Sequence, residues 1–231
     1  MGLAECRKIA PADLTCLERW YIDAQPVRTI TLNDFYIDQF EITNHKYAAC
    51  VLDGACDAPR KSDSTERVSY YGNVDFDNYP VIYVSWSDAD RFCKWRDARL
   101  PTEAEWEKAA RGPNGNLLPW GTGFSCDRAN ANGCTNDTTA VGSYPTGVSD
   151  YSVYDMVGNV LEWVSDWYNA SYYTNAPAAN PTGQPTGEKH VIRGGSWDSH
   201  AGYIFPFYRD FPITEEGGTD IGFRCALDVS P

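Results

Sequence analysis

The sequence has few of the residues that build transition-metal centres. It also lacks an evident glycine-rich phosphate loop and an apolar segment long enough to span a membrane. Its three histidines, His45, His190 and His200, are far apart and form no His-x-x-x-His pair. The Arg193–Ser196 stretch precedes no evident helix, which argues against a glycine-rich phosphate loop. No apolar run approaches the ~20 residues that a membrane-spanning helix needs. We therefore expect no iron, no organic cofactor and no membrane insertion.

Positive charge is also scarce. The chain has 19 Lys and Arg residues against 32 Asp and Glu residues, a net charge of −13. Such a surface repels phosphate backbones and anionic lipids, so nucleic acid is not an expected partner. The length of 231 residues and the 42% hydrophobic content predict one globular domain over residues 1–231, with residues 1–20 loosely attached.

Cysteine, by contrast, is abundant. Three of the possible pairs are close in sequence, namely Cys50 with Cys56, Cys126 with Cys134, and Cys6 with Cys16, which leaves Cys93 and Cys225. An even count with local pairs predicts disulfides in an extracellular or cell-surface protein. We then expect a leader or a longer N-terminal region before residue 1. The alternative is a cytosolic chain with several free, buried thiols.

Local patterns predict a few regular elements. Residues 29–32 and 35–40 alternate apolar and polar side chains and predict two strands. A helix is expected over about 44–52, then a long loop over 57–79 and a short buried strand over 80–86. A second helix should start near Ser87. A third should start at Thr102, where Thr102 and Glu105 form a capping box, and should end at Gly112. Turns are expected from there to residue 190.

Several short motifs occur in an order that chance does not readily produce. They are FYID at 35–38, EITN at 41–44, PVIYVSW at 80–86, RLPTEAEW at 99–106, PWG at 119–121, DMVGNVLEW at 155–163, RGGSW at 193–197 and IGFRCA at 221–226. Together they resemble the formylglycine-generating-enzyme (sulfatase-modifying factor) family over nearly the whole chain. The resemblance implies an α+β, C-type-lectin-like fold of the formylglycine-generating-enzyme subtype, and a Cys93–Cys225 disulfide.

The resemblance fails at the position that matters for catalysis. Sulfatase-activating members carry two redox cysteines shortly after the RGGS motif, and the matching stretch here, 198–205, has none. Ser199 occupies roughly the position of one lost thiol. The copper that the activators use would need the cysteine pair, so copper is not expected. Ser199 and His200 are adjacent, but adjacency in sequence does not make a catalytic dyad, and no orienting partner is evident.

Two polar clusters resemble cation sites of the family and predict structural calcium. Calcium prefers six to eight oxygen ligands, which include carboxylates, amide side chains and backbone carbonyls. The first set is Asp155, Gly158, Val160 and Glu162. The second set is Asn130, Ala131, Asp137 and Thr139. The alternative is that these polar side chains cap turns through hydrogen bonds without a metal.

The segment from Asp198 to Thr214 has an unusual composition. It contains no Lys, Glu, Gln, Met or Trp, whereas the rest of the chain uses all five. These are the residue types that cannot arise when only the adenines of Asn codons are randomised. In position, the segment resembles the variable region of diversity-generating-retroelement variable proteins, which use this fold subtype. Composition noise in a short window is the alternative.

The composition of this segment is typical of an antibody-like binding surface, with rigid aromatic and adaptable polar residues. We therefore predict a non-catalytic protein that binds a protein or cell-surface ligand through residues 197–214; its oligomeric state stays open. The predicted binding residues are Trp197, Asp198, Ser199, His200, Gly202, Tyr203, Phe205, Phe207, Tyr208, Asp210 and Phe211. One alternative is that Tyr203, Phe205 and Phe207 alternate in a buried strand. Another is a divergent oxidoreductase of the family, acting on a peptide or small molecule.

Overall fold

Helices lie mainly in the first half of the chain and strands mainly in the second, in a computed structural model that describes residues 21–131 and 133–229. The helices are α1 (Asn44–Leu52), α2 (Trp86–Trp95), α3 (Glu103–Arg111) and the single-turn α4 (Tyr172–Asn175). The strands are β1 (Phe35–Ile37), β2 (Leu161–Trp167), β3 (His190–Arg193), β4 (Ile221–Phe223) and β5 (Ala226–Asp228). This mixture confirms the predicted α+β class. Among the described helices, none is long and apolar enough to cross a bilayer.

A three-stranded sheet with the order β3-β2-β4 forms the centre of the molecule. Its middle strand, β2, is antiparallel to β3 and parallel to β4, and it places Trp163 opposite Ile192 and Phe223. Trp163 and Phe223 are fully buried in the largest apolar cluster, which also takes in side chains of α1 and α2. A second sheet pairs β1 with β5. The sheet, α1 and α2 therefore share one core, and α3 packs on the sheet through a second cluster that contains Trp106 and Val164.

Three disulfides stabilise the irregular connections. They join Cys50 to Cys56, Cys93 to Cys225, and Cys126 to Cys134, which confirms these three predicted pairs. The Cys93–Cys225 bridge ties α2 to the short link between β4 and β5. The predicted Cys6–Cys16 pair lies outside the described residues.

The capping box predicted for α3 is present. Thr102 Oγ1 accepts a hydrogen bond from Glu105 N at 3.2 Å, and Glu105 Oε2 accepts one from Thr102 N at 2.8 Å. The helix ends at Gly112, whose φ of 67° is in the left-handed region that glycine adopts readily. Helix α2 begins one residue earlier than expected, at Trp86, because Ser85 and Asp88 form a capping box of their own.

Two predicted strands are absent, and one strand was not predicted. Residues 29–32 form only an isolated bridge from Thr31 to Ala179. Residues 80–86 do not form a strand, because Tyr83 has a φ of 58° and Trp86 already belongs to α2. Conversely, β2 lies in the region where only turns were expected. Most of its residues are buried whichever way they point, so the sequence shows no alternation there.

Candidate functional site

The 198–211 surface consists of the seven predicted binding residues that reach solvent. They are Asp198, Ser199, His200, Tyr203, Tyr208, Asp210 and Phe211. Ring contacts connect several of them. The ring centroids of His200 and Tyr203 lie 6.4 Å apart, and those of Tyr203 and Tyr208 lie 5.0 Å apart. Phe211, 45% exposed, packs its ring 4.4 Å from that of Tyr168. The rings of His200, Tyr203 and Tyr208 therefore form one connected cluster, and Phe211 packs against a ring outside the segment.

The other four predicted binding residues are buried, which corrects the expectation that the whole segment faces solvent. Trp197 and Phe207 are each 8% exposed and Phe205 is fully buried. Gly202 is also buried, and its carbonyl accepts a hydrogen bond from Tyr21 Oη at 2.7 Å. A large apolar ring with no polar partner gains more from burial than from exposure. These residues form the floor of the surface.

This floor is packed by aromatic rings but is not a strand, so the alternating-strand alternative is wrong in detail. Phe205 and Phe207 stack with centroids 5.1 Å apart, and the Tyr21 ring meets Phe207 edge-on at 5.3 Å. The backbone of Asp210 exchanges two hydrogen bonds with Ile192 in β3. The segment is thus irregular but attached to the central sheet.

Two buried arginines, Arg193 and Arg209, hold the same segment against α3. Arg209 makes two hydrogen bonds to the carboxylate of Glu103, at 2.7 and 2.9 Å. Arg193 donates to Glu107 Oε2 and to the carbonyl of Tyr208, both at 2.5 Å. A bidentate guanidinium–carboxylate pair fixes the relative orientation of the two side chains and also neutralises their charges. The pairs hold residues 208–209 against the start of α3.

The 198–211 surface carries negative charge. Burial raises the pKa of Asp210 to about 6, and the nearby Asp220 adds to the shift. Burial also raises the pKa of Asp220, and the negative charge of Asp198 raises it further. The two arginines between residues 194 and 229, Arg209 and Arg224, are both buried in ion pairs. The exposed patch therefore combines aromatic rings with carboxylates.

Ser199 takes part in a turn. Its Oγ accepts a hydrogen bond from Ser196 N at 2.9 Å and lies 3.3 Å from Ser196 Oγ. Ser196 Oγ in turn donates to Asp220 at 2.9 Å. The sequence has no cysteine between Cys134 and Cys225, and Cys225 is in a disulfide. A thiol is therefore not available in the segment where the family's redox cysteines would lie.

The first set of predicted calcium ligands lies in a buried, acidic environment. Glu162 accepts two hydrogen bonds from the Arg224 guanidinium, each at 2.7 Å, and a third from Trp106 Nε1 at 2.8 Å. Asp155 accepts one from Gly142 N at 2.6 Å. Burial raises the pKa of Asp155 to about 6. Gly158 has a φ of 78°, and an added Cβ would lie 2.1 Å from the Asn130 carbonyl oxygen.

A third carboxylate, which was not among the predicted calcium ligands, belongs to the same group. Glu41 is fully buried and accepts hydrogen bonds from Asn159 Nδ2 and Val160 N. Its pKa is raised well above the usual range by burial, and further by Asp155 and Glu162. Among the described ion pairs, Arg224 supplies the one cation to this group. Three carboxylates therefore lie near one guanidinium, and this crowding contributes to the raised pKa values of Glu41 and Asp155.

In the second set, each of the four predicted ligand residues has an oxygen that accepts a hydrogen bond from the protein, and there is a single carboxylate. Asp137 accepts from Ser64 Oγ and Glu66 N on one carboxylate oxygen and from Thr138 N on the other. Asn130 Oδ1 accepts from Thr135 Oγ1, the Ala131 carbonyl accepts from Cys134 N, and the Thr139 carbonyl accepts from Asn159 Nδ2. Arg67 Nη1 lies 2.9 Å from Asp137 Oδ2. This set, as folded, does not fit a calcium ion.

Neither set resembles a transition-metal centre. In residues 21–131 and 133–229, no group of three or more His, Cys, Asp and Glu side chains is arranged to hold a metal ion. A cation at the first set would depend on backbone carbonyls in addition to carboxylates, as calcium sites often do.

A cavity of about 620 Å³ lies between residues 24–32 and α3. Glu103, Glu107 and Asp166 contribute to its lining. Arg209 and Arg193 pair with the two glutamates, and Asp166 accepts a hydrogen bond from Glu103 N at 2.8 Å. The two glutamates are thus paired with arginines and Asp166 with the first backbone amide of α3, so we do not assign them a chemical role.

Comparison with known proteins places the chain in a family. The model of the "Sulfatase-modifying factor enzyme 1-like domain" matches residues 5–229. The formylglycine-generating enzyme of Streptomyces coelicolor is 32% identical over 267 residues, covering 88% of this chain and 81% of that protein. The serine/threonine-protein kinase Pkn1 of Chlamydia trachomatis is 36% identical over 224 residues, covering 90% of this chain but only 35% of the kinase.

The solved structure of Treponema denticola variable protein 1 superposes with a TM-score of 0.68 at 21% identity, covering 87% of each chain. At this identity the likeness concerns the fold alone. It agrees with the C-type-lectin-like α+β fold that the sequence motifs implied. The match over residues 5–229 and the Streptomyces relative together show that this chain belongs to the sulfatase-modifying factor family.

Proposed function

We propose that this domain binds a protein or cell-surface ligand through the 198–211 surface and does not catalyse a reaction. The observation that carries the proposal is the division of residues 197–211 into a buried aromatic floor and an exposed patch. Recognition needs side chains that can face a partner without being required for the core. The exposed residues meet that condition, whereas Trp197, Phe205 and Phe207 form the support.

The chemistry of the surface favours a ligand with positive charge. Tyr203, Tyr208 and Phe211 offer ring faces, and Asp198 and Asp210 offer carboxylates. Aromatic faces and carboxylates both attract lysine and arginine side chains. Tyrosine-rich patches are also common in protein recognition because they bury area at low conformational cost. We therefore propose a basic patch on the protein or cell-surface partner.

We further propose that the segment is diversified. The absence of Lys, Glu, Gln, Met and Trp from residues 198–214 supports this, as does the shared fold with a protein named variable protein 1. A near-copy of the segment's DNA that differs only at adenines, next to a reverse transcriptase gene, would establish diversification. A genome without such a copy leaves a fixed binding surface.

Two matched libraries test the binding proposal. One randomises Asp198, His200, Tyr203, Tyr208 and Phe211, and the other randomises Trp197, Gly202, Phe205 and Phe207. Both are displayed on yeast, sorted for resistance to protease, and then selected on a basic protein and on an acidic one. We expect most clones of the first library to stay folded and to yield binders for the basic protein. Few clones of the second should survive. Equal loss of folded clones in both libraries would contradict the proposal.

The competing function is the generation of formylglycine, which the Streptomyces relative's name describes. Its support is the family membership, and its obstacle is the absence of a thiol in residues 135–224. Aerobic incubation with a sulfatase-motif peptide and copper, followed by mass spectrometry, separates the two functions. Conversion of the peptide would replace the binding proposal with a catalytic one.

We also propose structural calcium at the first set, held by Asp155 and the carbonyls of Gly158 and Val160. Glu162 would share its carboxylate with Arg224. The surplus of buried carboxylates over guanidinium supports the proposal. Since an ion that binds only the folded state stabilises it, the melting temperature should rise with calcium concentration. Asp155→Asn should abolish this rise, and the exposed Asp75→Asn should not. A melting curve unaffected by calcium or chelator would contradict it.

The location outside the cell is likewise a proposal. Three disulfides support it, because such bonds persist in oxidising compartments and are rare in the cytosol. Thiol titration of the unfolded, unreduced protein taken from its native source would test it. Free Cys93 and Cys225 thiols in that sample would contradict an oxidising location.

A further inference from the structure

The Arg67 guanidinium lies where the second predicted calcium ligands converge. Its Nη1 is 2.9 Å from Asp137 Oδ2, and its Nη2 donates to the Thr138 carbonyl at 3.0 Å. The Asp137 side chain is buried at this contact, and the Arg67 side chain is 23% exposed. The Arg67 guanidinium therefore lies beside Asp137, the only carboxylate of the second set.

Three aromatic rings hold the guanidinium on its other sides. It lies 5.0 Å from the ring centroids of both Phe76 and Tyr79, and 5.8 Å from that of Tyr70. Ring faces stabilise cations, most strongly where water is excluded. The Arg67 carbonyl also accepts a hydrogen bond from Ser64 N at 2.9 Å. Residues 64–79 are thus folded around this one side chain.

A calcium ion would compete with this arrangement. An ion bonded to an Asp137 oxygen would stand about 2.3–2.6 Å from it, and so within a few ångströms of the guanidinium. Two cations that close repel one another strongly in a buried setting. The single Asp137 charge is already balanced by Arg67, so the site offers no net attraction for a divalent ion.

The geometry points to Arg67 as a built-in cation that replaces calcium at the second set. It joins the 64–79 loop to the 130–139 loop through its own charge. This part of the domain then holds its structure at any calcium concentration, while a calcium ion is left to the first set alone. The inference concerns the scaffold and does not depend on the ligand-binding proposal.

Calcium stoichiometry tests the inference. The whole chain, Asp137→Asn, Arg67→Ala and Arg60→Ala are each titrated with calcium and counted by native mass spectrometry. Arg60 is the matched control, because it lies on the same loop but pairs with the exposed Glu216. We expect Asp137→Asn and Arg60→Ala to bind as many ions as the parent chain. Arg67→Ala should bind one more, because the Asp137 carboxylate loses its counter-ion.

Two results would overturn the inference. One is an Asp137→Asn protein that binds one ion fewer than the parent chain, since Asp137 would then be a calcium ligand. The other is a folded Arg67→Ala protein that binds no additional ion. If Arg67→Ala does not fold, Arg67→Lys takes its place; it retains a cation and should bind as many calcium ions as the parent chain. An Arg67→Lys protein that binds one ion more than the parent chain would contradict the inference. The Asp137→Asn result remains an independent test.

Discussion

The two predicted calcium sites differ in how their charge is balanced. In the first, the buried carboxylates of Glu41, Asp155 and Glu162 share the Arg224 guanidinium. In the second, the lone carboxylate of Asp137 faces Arg67. The sequence motifs predicted calcium at both sets, more firmly at the first. The charge balance of a ligand motif therefore depends on the charges that the fold brings to it from other parts of the chain.

The largest expected effect is in the first region. Arg224→Met leaves Glu162 without its cation and removes hydrogen bonds to the carbonyls of Asp38, Gln39 and Tyr154. Breaking a buried ion pair by removing one partner costs about 3–5 kcal/mol of unfolding free energy. Urea denaturation measures the change. A loss below about 1 kcal/mol, well under that range, would show that Arg224 is not the essential counter-charge.

The next largest effect on stability is expected at Asp166, a buried carboxylate that belongs to neither predicted calcium set. Asp166 on β2 is 2% exposed, and burial, together with Glu103, raises its pKa to about 7. Between about pH 4 and 7 the folded state keeps a proton that the unfolded state has lost. Stability should therefore fall as pH rises through this window, by an amount on the order of 4 kcal/mol, and level off above it.

Asp166→Asn should remove that part of the pH dependence, because the amide is uncharged throughout and has an oxygen that can still accept from Glu103 N. Urea denaturation of both proteins at pH 4.5, 6 and 8 provides the measurement. The variant should gain stability relative to the parent chain as pH rises. Parallel curves for the two proteins would mean that Asp166 is ionised in the folded state across the range.

A smaller effect is expected in the second region, where the charge is balanced. A double-mutant cycle with Arg67→Met and Asp137→Asn should give a coupling energy of about 1–3 kcal/mol, typical of residues in direct contact. The exposed Arg60–Glu216 pair should give less than about 1 kcal/mol in the same cycle. Coupling of equal size at both pairs would remove the distinction between the buried ion pair and the surface one.

The smallest expected effect is that of chelation on the second region. Addition of EDTA should speed hydrogen exchange in residues 155–162 if calcium binds the first set, because a lost ligand lowers local stability. Residues 64–70 and 137–139 should exchange at an unchanged rate. Faster exchange in those residues as well would erase the contrast between the two regions.

The helices and disulfides were largely predictable because their signals are local. The capping box at Thr102 and Glu105 and the short Cys50–Cys56 and Cys126–Cys134 spacings lie within a few residues each. Strand β2 was missed because it is covered on both faces and lacks alternation. The 80–86 strand was wrong because the positive φ of Tyr83 is a tertiary requirement that no local pattern shows.

The binding surface was only half predictable. Composition pointed to residues 197–214, but it did not distinguish Tyr203 and Phe211, which reach solvent, from Phe205 and Phe207, which do not. The distinction depends on where Tyr21, Trp197 and β3 lie relative to the segment. Arg67 and Glu41 were missed for the same reason, since each is far in sequence from the ligands that it contacts.

The sequence by itself determined the family, the α+β class, the two local disulfides and the absence of a redox cysteine pair, because these follow from residue identity, motif order and short spacings. The Cys93–Cys225 disulfide followed from the family resemblance. Only the tertiary structure decided which aromatic rings are exposed and which carboxylates have a counter-ion. Burial and charge balance are sums over neighbours from distant parts of the chain. The charge balance of Asp137 and Asp155 differs because Asp137 forms an ion pair with Arg67, whereas Asp155 lies near a second carboxylate, Glu41.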